Sequence, residues 1–181
     1  MTTPTFWLLL IYTIPTEPSR KRAFIWRKLK EVGALYLRDG VATLPERAET
    51  LAAFRSLTAR IKEFAGQATL VSGVRLDSER AEAIMAESRA AREAEYADVG
   101  REAEQVLQHI RQEITHRVFS VAELAELTGD LAKLERWMGQ IQARDYFGSP
   151  AVTPVDLRLT RCEAVLSSLR QEAGIEDKVS P

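Results

Sequence analysis

The sequence contains one cysteine, Cys162, so no disulfide framework can hold it together. It contains two histidines, His109 and His116, seven positions apart. So thin a Ser/His/Asp inventory disfavours nucleophilic catalysis. No phosphate-cradling glycine loop, dinucleotide glycine motif or nucleophile elbow is present. No long hydrophobic run is present either. The longest stretch, Phe6 to Ile14, is about half of what a bilayer crossing requires. Lys and Arg follow this stretch and do not precede it, so it does not read as a signal peptide. Charge of one sign is not in excess, since the formal net charge is −1. These absences lead to the expectation of a cytoplasmic protein that is not an enzyme and holds no cofactor.

What is there is enough for a folded core. Of 181 residues, 45% are hydrophobic and 28% are charged. That composition suits one globular domain or two small ones and excludes disorder along the whole chain.

The near-zero net charge hides a division. Residues 1–75 carry 12 basic and 6 acidic side chains, a local charge of +6, which leaves −7 for the remainder. Such asymmetry points to an electrostatic partner or to two parts of the chain that face each other.

Local patterns divide the chain at the same place. Phe6–Ile14 is continuous, aromatic and ended by Pro15, and it reads as a central strand buried on both faces. Pro15 to Pro18 is a turn and Ser19 a natural helix N-cap. From Arg20 to Val32 the apolar residues Ile25, Leu29 and Val32 share one helical face, and Gly33 closes the helix. Ala34–Leu37 and Val41–Leu44 read as a hairpin, with Asp39-Gly40 supplying the positive φ values. Glu46–Ala65 is helical and stopped by Gly66, and Gln67–Leu76 is another strand. The resulting order, β-α-β-β-α-β, is that of a ferredoxin-like domain over residues 1–76.

Beyond it, residues 77–181 read as an acidic α-helical domain of about three long helices, so the fold class is α+β. The first long helix spans Asp77–Arg117 with an interruption at Gly100. Ser120-Val-Ala-Glu123 is a capping box that opens the second, running to about Asp145. Pro154 starts the third, from Val155 to Glu172, and Gly174 onward reads as a frayed tail. Leu157, Val165 and Leu169 form the apolar face of the third helix, with Cys162 as a small buried residue.

Three groups of residues carry possible chemistry. Arg20, Lys21, Arg22, Arg27, Lys28 and Lys30 place six cations within eleven residues of one helix. They repel one another unless a polyanion or the acidic part of the chain neutralises them. DNA phosphates are the usual such partner; a solvated helix face or a protein partner is the alternative. Phe24 and Trp26, interleaved with these cations, could stack on bases or belong to the core. His109, Glu113 and His116 stand at i, i+4, i+7, with Glu102 one repeat upstream. They form a weak metal candidate, because a polar helix surface explains the row equally and no His-Glu-x-x-His pattern is present.

Small ferredoxin-like nucleases of the CRISPR-associated kind share this topology and place a metal-binding acid at the end of the first strand. Here that stretch is Tyr12-Thr-Ile-Pro15, without a carboxylate.

Several motifs together resemble the N-terminal domain family of ChrB-type chromate-resistance regulators. They are Trp7 to Pro15, Pro18-Ser19-x-x-Arg22, Trp26-Arg-Lys-Leu-Lys30-x-x-Gly-Ala34 and Asp39 to Pro45. Further on are Phe119-x-x-x-Glu123-Leu-x-Glu126, Asp130-Leu-x-Lys133-Leu-x-Arg136-Trp137 and Ile141-x-x-Arg144-Asp-x-Phe-Gly148. The first half also resembles the ferredoxin-like domain of phenylacetate-degradation repressors. The resemblance implies a transcriptional regulator that binds promoter DNA of a chromate efflux operon, with Arg22, Arg27, Lys28 and Lys30 at the family's basic positions. A homodimer is also expected, with chromate or another oxyanion as a possible ligand of the basic patch. Family members carry a further C-terminal domain, so the expectation is either a stand-alone version or a sensor that lies elsewhere. The competing expectation is an interaction or scaffold module whose basic and acidic halves dock within or between chains, without DNA.

Overall fold

The structure, a computed structural model, describes residues 6–116 and 120–172, with side chains except at 113–116 and 172. Its elements follow in the order β1 (Trp7–Thr13), α1 (Ser19–Glu31), β2 (Leu35–Arg38), β3 (Val41–Pro45), α2 (Ala48–Glu63) and β4 (Gln67–Val74). Three helices come next: α3 (Ser78–His116), α4 (Val121–Gln142) and α5 (Val152–Glu172). The protein is therefore α+β, with one four-stranded sheet and five helices among the described residues.

The chain divides into two compact units. Unit 1 comprises Met1–Arg89 and Arg144–Phe147, and unit 2 comprises Ala90–Ala143 and Gly148–Pro181. The boundary expected after residue 76 thus lies later, and a four-residue segment returns to the first unit. The reason is hydrophobic. Ala81, Ile84 and Met85 of α3 are buried with Trp7 and Phe147, and the Trp7 and Phe147 rings stand 5.8 Å apart.

In unit 1 the sheet order is β2-β3-β1-β4, and the paired strands are antiparallel. Side chains alternate across the pleat. Leu8 and Leu10 of β1 meet Ile25 and Leu29 of α1 and Phe54, Leu57 and Ile61 of α2 in one core. Trp7 points to the second cluster. Burial of β1 on both faces holds at its start and fades along the strand, where Ile11 is 45% exposed.

Backbone details differ from the sequence reading at four points. Ser19 is the first residue of α1 and not its cap; Pro18 holds the cap position, with no side-chain hydrogen bond. In the β2–β3 turn only Gly40 has positive φ (+73°), since Asp39 does not need it. α2 is left through Ala65 at φ +61°, and Gly66 is required because a Cβ there would strike the Thr13 carbonyl oxygen. α3 runs unbroken through Gly100. The glycine admits Arg158, whose Nη1 donates to the Gly100 carbonyl at 3.1 Å, and any Cβ would crowd that nitrogen.

The segment 144–147 ties parts of unit 1 together. Tyr146 Oη donates to the Val32 carbonyl at 2.9 Å, at the end of α1. Arg47 Nη2 donates to the Tyr146 carbonyl at 2.9 Å, before α2. Gly33, at φ +69°, packs so closely on Arg144 that a Cβ would approach the Arg144 Cβ to 3.0 Å. Two sequence motifs more than a hundred residues apart, Gly33-Ala34 and Arg144 to Phe147, therefore meet.

Unit 2 is built on leucine stripes. Leu124, Leu127, Leu131, Leu134, Met138 and Ile141 of α4 are buried with Tyr96, Val99, Ala103, Leu107 and Ile110 of α3. α5 adds Val155, Leu159, Cys162, Leu166 and Leu169 at spacings of three and four. Leu157 is not on that face. It lies two positions after Val155, about 200° around the helix, and is 66% exposed. The Ser120 capping box opens α4 as expected: Glu123 N–H donates to Ser120 Oγ at 3.2 Å, and Ser120 N–H donates to the Glu123 carboxylate at 2.8 Å. α5 starts at Val152, before Pro154, which a first helical turn tolerates. The tail expected after Gly174 lies outside the described residues.

Candidate nucleic-acid interface

α1 buries Ile25 and Leu29 and carries its charges around the rest of its circumference. At about 100° per residue the six cations fall into three rows. Lys21 and Lys28 stand on the shoulder towards α2. Lys21 Nζ reaches the Phe64 carbonyl at 3.5 Å and lies 5.5 Å from the Phe64 ring centroid. Lys28 Nζ pairs with Glu31 at 2.6 Å and lies 5.9 Å from the Phe24 ring. Arg20 and Arg27 point outward. Arg22, Trp26 and Lys30, at i, i+4, i+8, form the other shoulder.

The two aromatic candidates separate in the same way. Phe24 packs edge-on against Phe64 at 5.7 Å between centroids, with Arg60 5.6 Å from its ring. It is part of the α1–α2 packing and is not presented to a base. Trp26 is 49% exposed, and Lys30 Nζ stands 4.3 Å from its centroid.

Arg20, Arg22 and Arg27 make no hydrogen bond or ion pair among the described residues. The first turn of α1 contains no acidic residue, and its start has no side-chain cap. Arg20, Lys21 and Arg22 all lie in that first turn, and three cations at the positive end of a helix dipole oppose the usual preference for anions there. Locally unfavourable electrostatics of this kind are relieved by an external anion.

Beside the Arg22–Trp26 shoulder lies a groove of about 1000 Å³. Tyr12 and Ile14 line it from β1 and its exit, Ser19, Arg22, Ala23 and Trp26 from α1, and Tyr36, Asp39 and Gly40 from the hairpin. The Tyr36 hydroxyl is buried and makes no hydrogen bond of normal geometry, although the Tyr12 side chain lies beside it. Burial above all, and the Tyr12 hydroxyl after it, hold Tyr36 well above the ordinary phenol range. Sequence reading missed the two tyrosines as site residues. The alternation of β1 was the available signal, because Leu8, Leu10 and Tyr12 share its helix-facing side.

Of the histidine row, His109 and Glu102 have described side chains. His109 lines a smaller groove of about 350 Å³ in unit 2 with Glu102, Asp130 and Lys133, where Lys133 Nζ pairs with Asp130 at 2.8 Å. The side chains of Glu113 and His116 lie outside the described residues. Among the described residues no three His, Cys, Asp or Glu side chains converge in a way that could hold a metal ion. Cys162 is fully buried, its Sγ 3.5 Å from the Ala103 carbonyl, and burial raises its pKa. No helix among the described residues is long and apolar enough to cross a membrane.

Fold and site together define a two-unit α+β protein whose first unit presents a cationic helix beside an aromatic groove. The family model described as "Protein ChrB, N-terminal" matches residues 22–173, and the chain belongs to that family. Protein ChrB of Cupriavidus metallidurans is 49% identical over 41 residues, a stretch that covers 23% of this chain and 13% of that protein. No solved structure matches the chain.

Proposed function

We propose that this protein is a DNA-binding transcriptional regulator of chromate resistance, not an enzyme, acting in the cytoplasm as a homodimer on the promoter of a chromate efflux operon. One observation carries the reading. Arg20 and Arg22 in the uncapped first turn of α1, and Arg27 about two turns further along, have no acidic partner among the described residues. Membership of the ChrB N-terminal family supports it. The β2-β3-β1-β4 strand order supports reading unit 1 as a ferredoxin-like domain. Lys30 adds to the patch, whereas Lys21 and Lys28 serve mainly to cover the aromatic contacts of α1 with α2. Simple Arg and Lys contacts do not distinguish chromate from sulfate, so the patch is assigned to phosphates and not to oxyanion discrimination.

The test is titration of the operon's promoter duplex, followed by fluorescence anisotropy at several salt concentrations. Binding weakens with salt, and the Arg20→Ala/Arg27→Ala double variant lowers the salt slope by about two units, one for each phosphate left without its arginine. A double variant that binds as wild type with the same slope removes α1 as the contact surface. Absence of duplex binding at physiological salt, with a changed mass in light scattering on charge reversal at Arg27 and Lys28, would instead favour docking between basic and acidic halves.

A further inference from the structure

We infer that the groove beside α1 binds a nucleotide unit, with an unpaired base stacked on Trp26 and its phosphate held by Arg22. This rests on the nucleic-acid reading of α1 and adds to it a pocket for a base that has left the duplex or was never in one.

The composition of the groove selects that chemistry. A site for phosphate alone needs cations and backbone donors, not an apolar wall. This groove instead combines three aromatic side chains, Tyr12, Trp26 and Tyr36, with a single arginine and the Ser19 hydroxyl. Its one carboxylate, Asp39, repels a second phosphate but accepts hydrogen bonds from a base amino group. The Trp26 ring is half exposed and backed by Lys30, whose charge 4.3 Å away is compatible with a flat, electron-rich ring and a nearby phosphate. The buried Tyr36 hydroxyl, lacking a hydrogen bond of normal geometry, is a donor or acceptor that a ligand atom can complete. The volume of about 1000 Å³ is ample for one nucleotide. Phe24, the other aromatic of α1, does not line the groove, and Phe64 and Arg60 pack against its ring.

The full chain is titrated with three probes: a short single-stranded DNA oligonucleotide, free dAMP and the promoter duplex. Intrinsic fluorescence is followed in the wild type and in Trp26→Phe, the difference isolating Trp26 from the buried Trp7 and the partly buried Trp137. The oligonucleotide quenches Trp26 saturably. Trp26→Ala weakens oligonucleotide binding about tenfold, the effect of removing one base–aromatic stack, whereas Trp26→Phe retains affinity within a few-fold. Arg22→Ala weakens both single-stranded and duplex binding. Quenching by dAMP with comparable affinity identifies a free nucleotide as the ligand, and quenching by the oligonucleotide alone identifies a base within a strand; either supports the pocket. The pocket is overturned if neither probe quenches Trp26 while the duplex still binds through Arg20 and Arg27, an outcome that leaves the DNA reading intact. Failure of all three probes to bind removes both.

Discussion

The start of α1 in unit 1 and the long helices of unit 2 differ in how their charges are met. In unit 2 the charged side chains settle locally. Arg92 pairs with Glu95 at 3.1 Å, Lys133 with Asp130 at 2.8 Å and Arg101 with Asp98, each three residues away on the same helix. In unit 1 the arginines at the start of α1 have no such neighbour, because Glu31 at the far end of the helix is its only acid. Unit 1 pairs Lys28 with Glu31 and Arg60 with Glu63 further along its helices, and it also lays cations over rings, among them Lys30 on Trp26 and Arg60 on Phe24. A helical surface with alternating signs is self-sufficient, whereas α1 is electrostatically incomplete. Glycine also differs between the hairpin of unit 1 and helix α4 of unit 2. Unit 1 uses Gly40 where the backbone turns to positive φ against a neighbouring strand. Unit 2 carries Gly129 and Gly139 inside α4, where a side chain would meet nothing within 4 Å. Unit 1 is thus constrained by the geometry of a site, and unit 2 mainly by its leucine core.

The largest effect that sharpens this comparison comes from Gly40→Ala. A Cβ at that position would lie 2.6 Å from the Tyr12 carbonyl oxygen, and the residue has φ +73°. Tyr12 N–H also donates to the Gly40 carbonyl at 2.7 Å, so the turn cannot move away without breaking that bond. The expected cost is about 1–3 kcal/mol, read as a lower denaturant midpoint with unchanged m-value. Since Tyr12 and Gly40 both line the groove, the same variant also weakens quenching of Trp26 by the oligonucleotide. Wild-type stability would mean that the close approach of hairpin and β1 is not maintained.

A smaller effect is expected at the start of α4. Ser120→Ala removes the capping box and costs about 1 kcal/mol. This contribution depends on pH. The Ser120 backbone N–H first, and its hydroxyl second, hold the Glu123 carboxyl below the usual glutamate value of 4.5. A carboxylate with a depressed folded pKa stabilises the protein fully above its unfolded value, and that stabilisation is lost as pH falls through the folded pKa. Thermal unfolding of Glu123→Gln should therefore differ from wild type at neutral pH and converge with it as the pH drops below 4.5. A difference that persists unchanged into strong acid would show that the cap acts through shape and not charge.

How much of this was legible in the sequence follows from how local each determinant is. Periodicity located the sheet strands and the long helices, and the six buried positions of α4 recur at threes and fours because a core-facing stripe is written in consecutive turns. The basic residues of α1 were equally visible. Their division into outward arginines and lysines laid over aromatic rings was not, since it depends on Phe64 and Arg60 of the α2 region, far along the chain. The return of segment 144–147 to unit 1 was not legible, because Phe147 joins Trp7 only in space. Leu157 was misplaced because an apolar residue on α5 was read as a buried one. Gly100 was read as a break because propensity alone says so, while Arg158 gives it a reason to remain within a helix.

The smallest effect bears on unit 2 and has the opposite sign. Gly129→Ala and Gly139→Ala fill open space on α4, and neither glycine has a positive φ to lose. Alanine restricts the unfolded chain and raises helix propensity, so each variant should gain about 0.5–1 kcal/mol, seen as a higher melting temperature. Neither belongs to unit 1 or lies near α1 in sequence, so duplex affinity and its salt slope should stay at wild-type values. If an α4 glycine variant gained stability and also changed the salt slope, unit 2 would have a part in DNA binding that its locally paired charges do not suggest. The division between an electrostatically incomplete unit 1 and a self-sufficient unit 2 would then have to be redrawn.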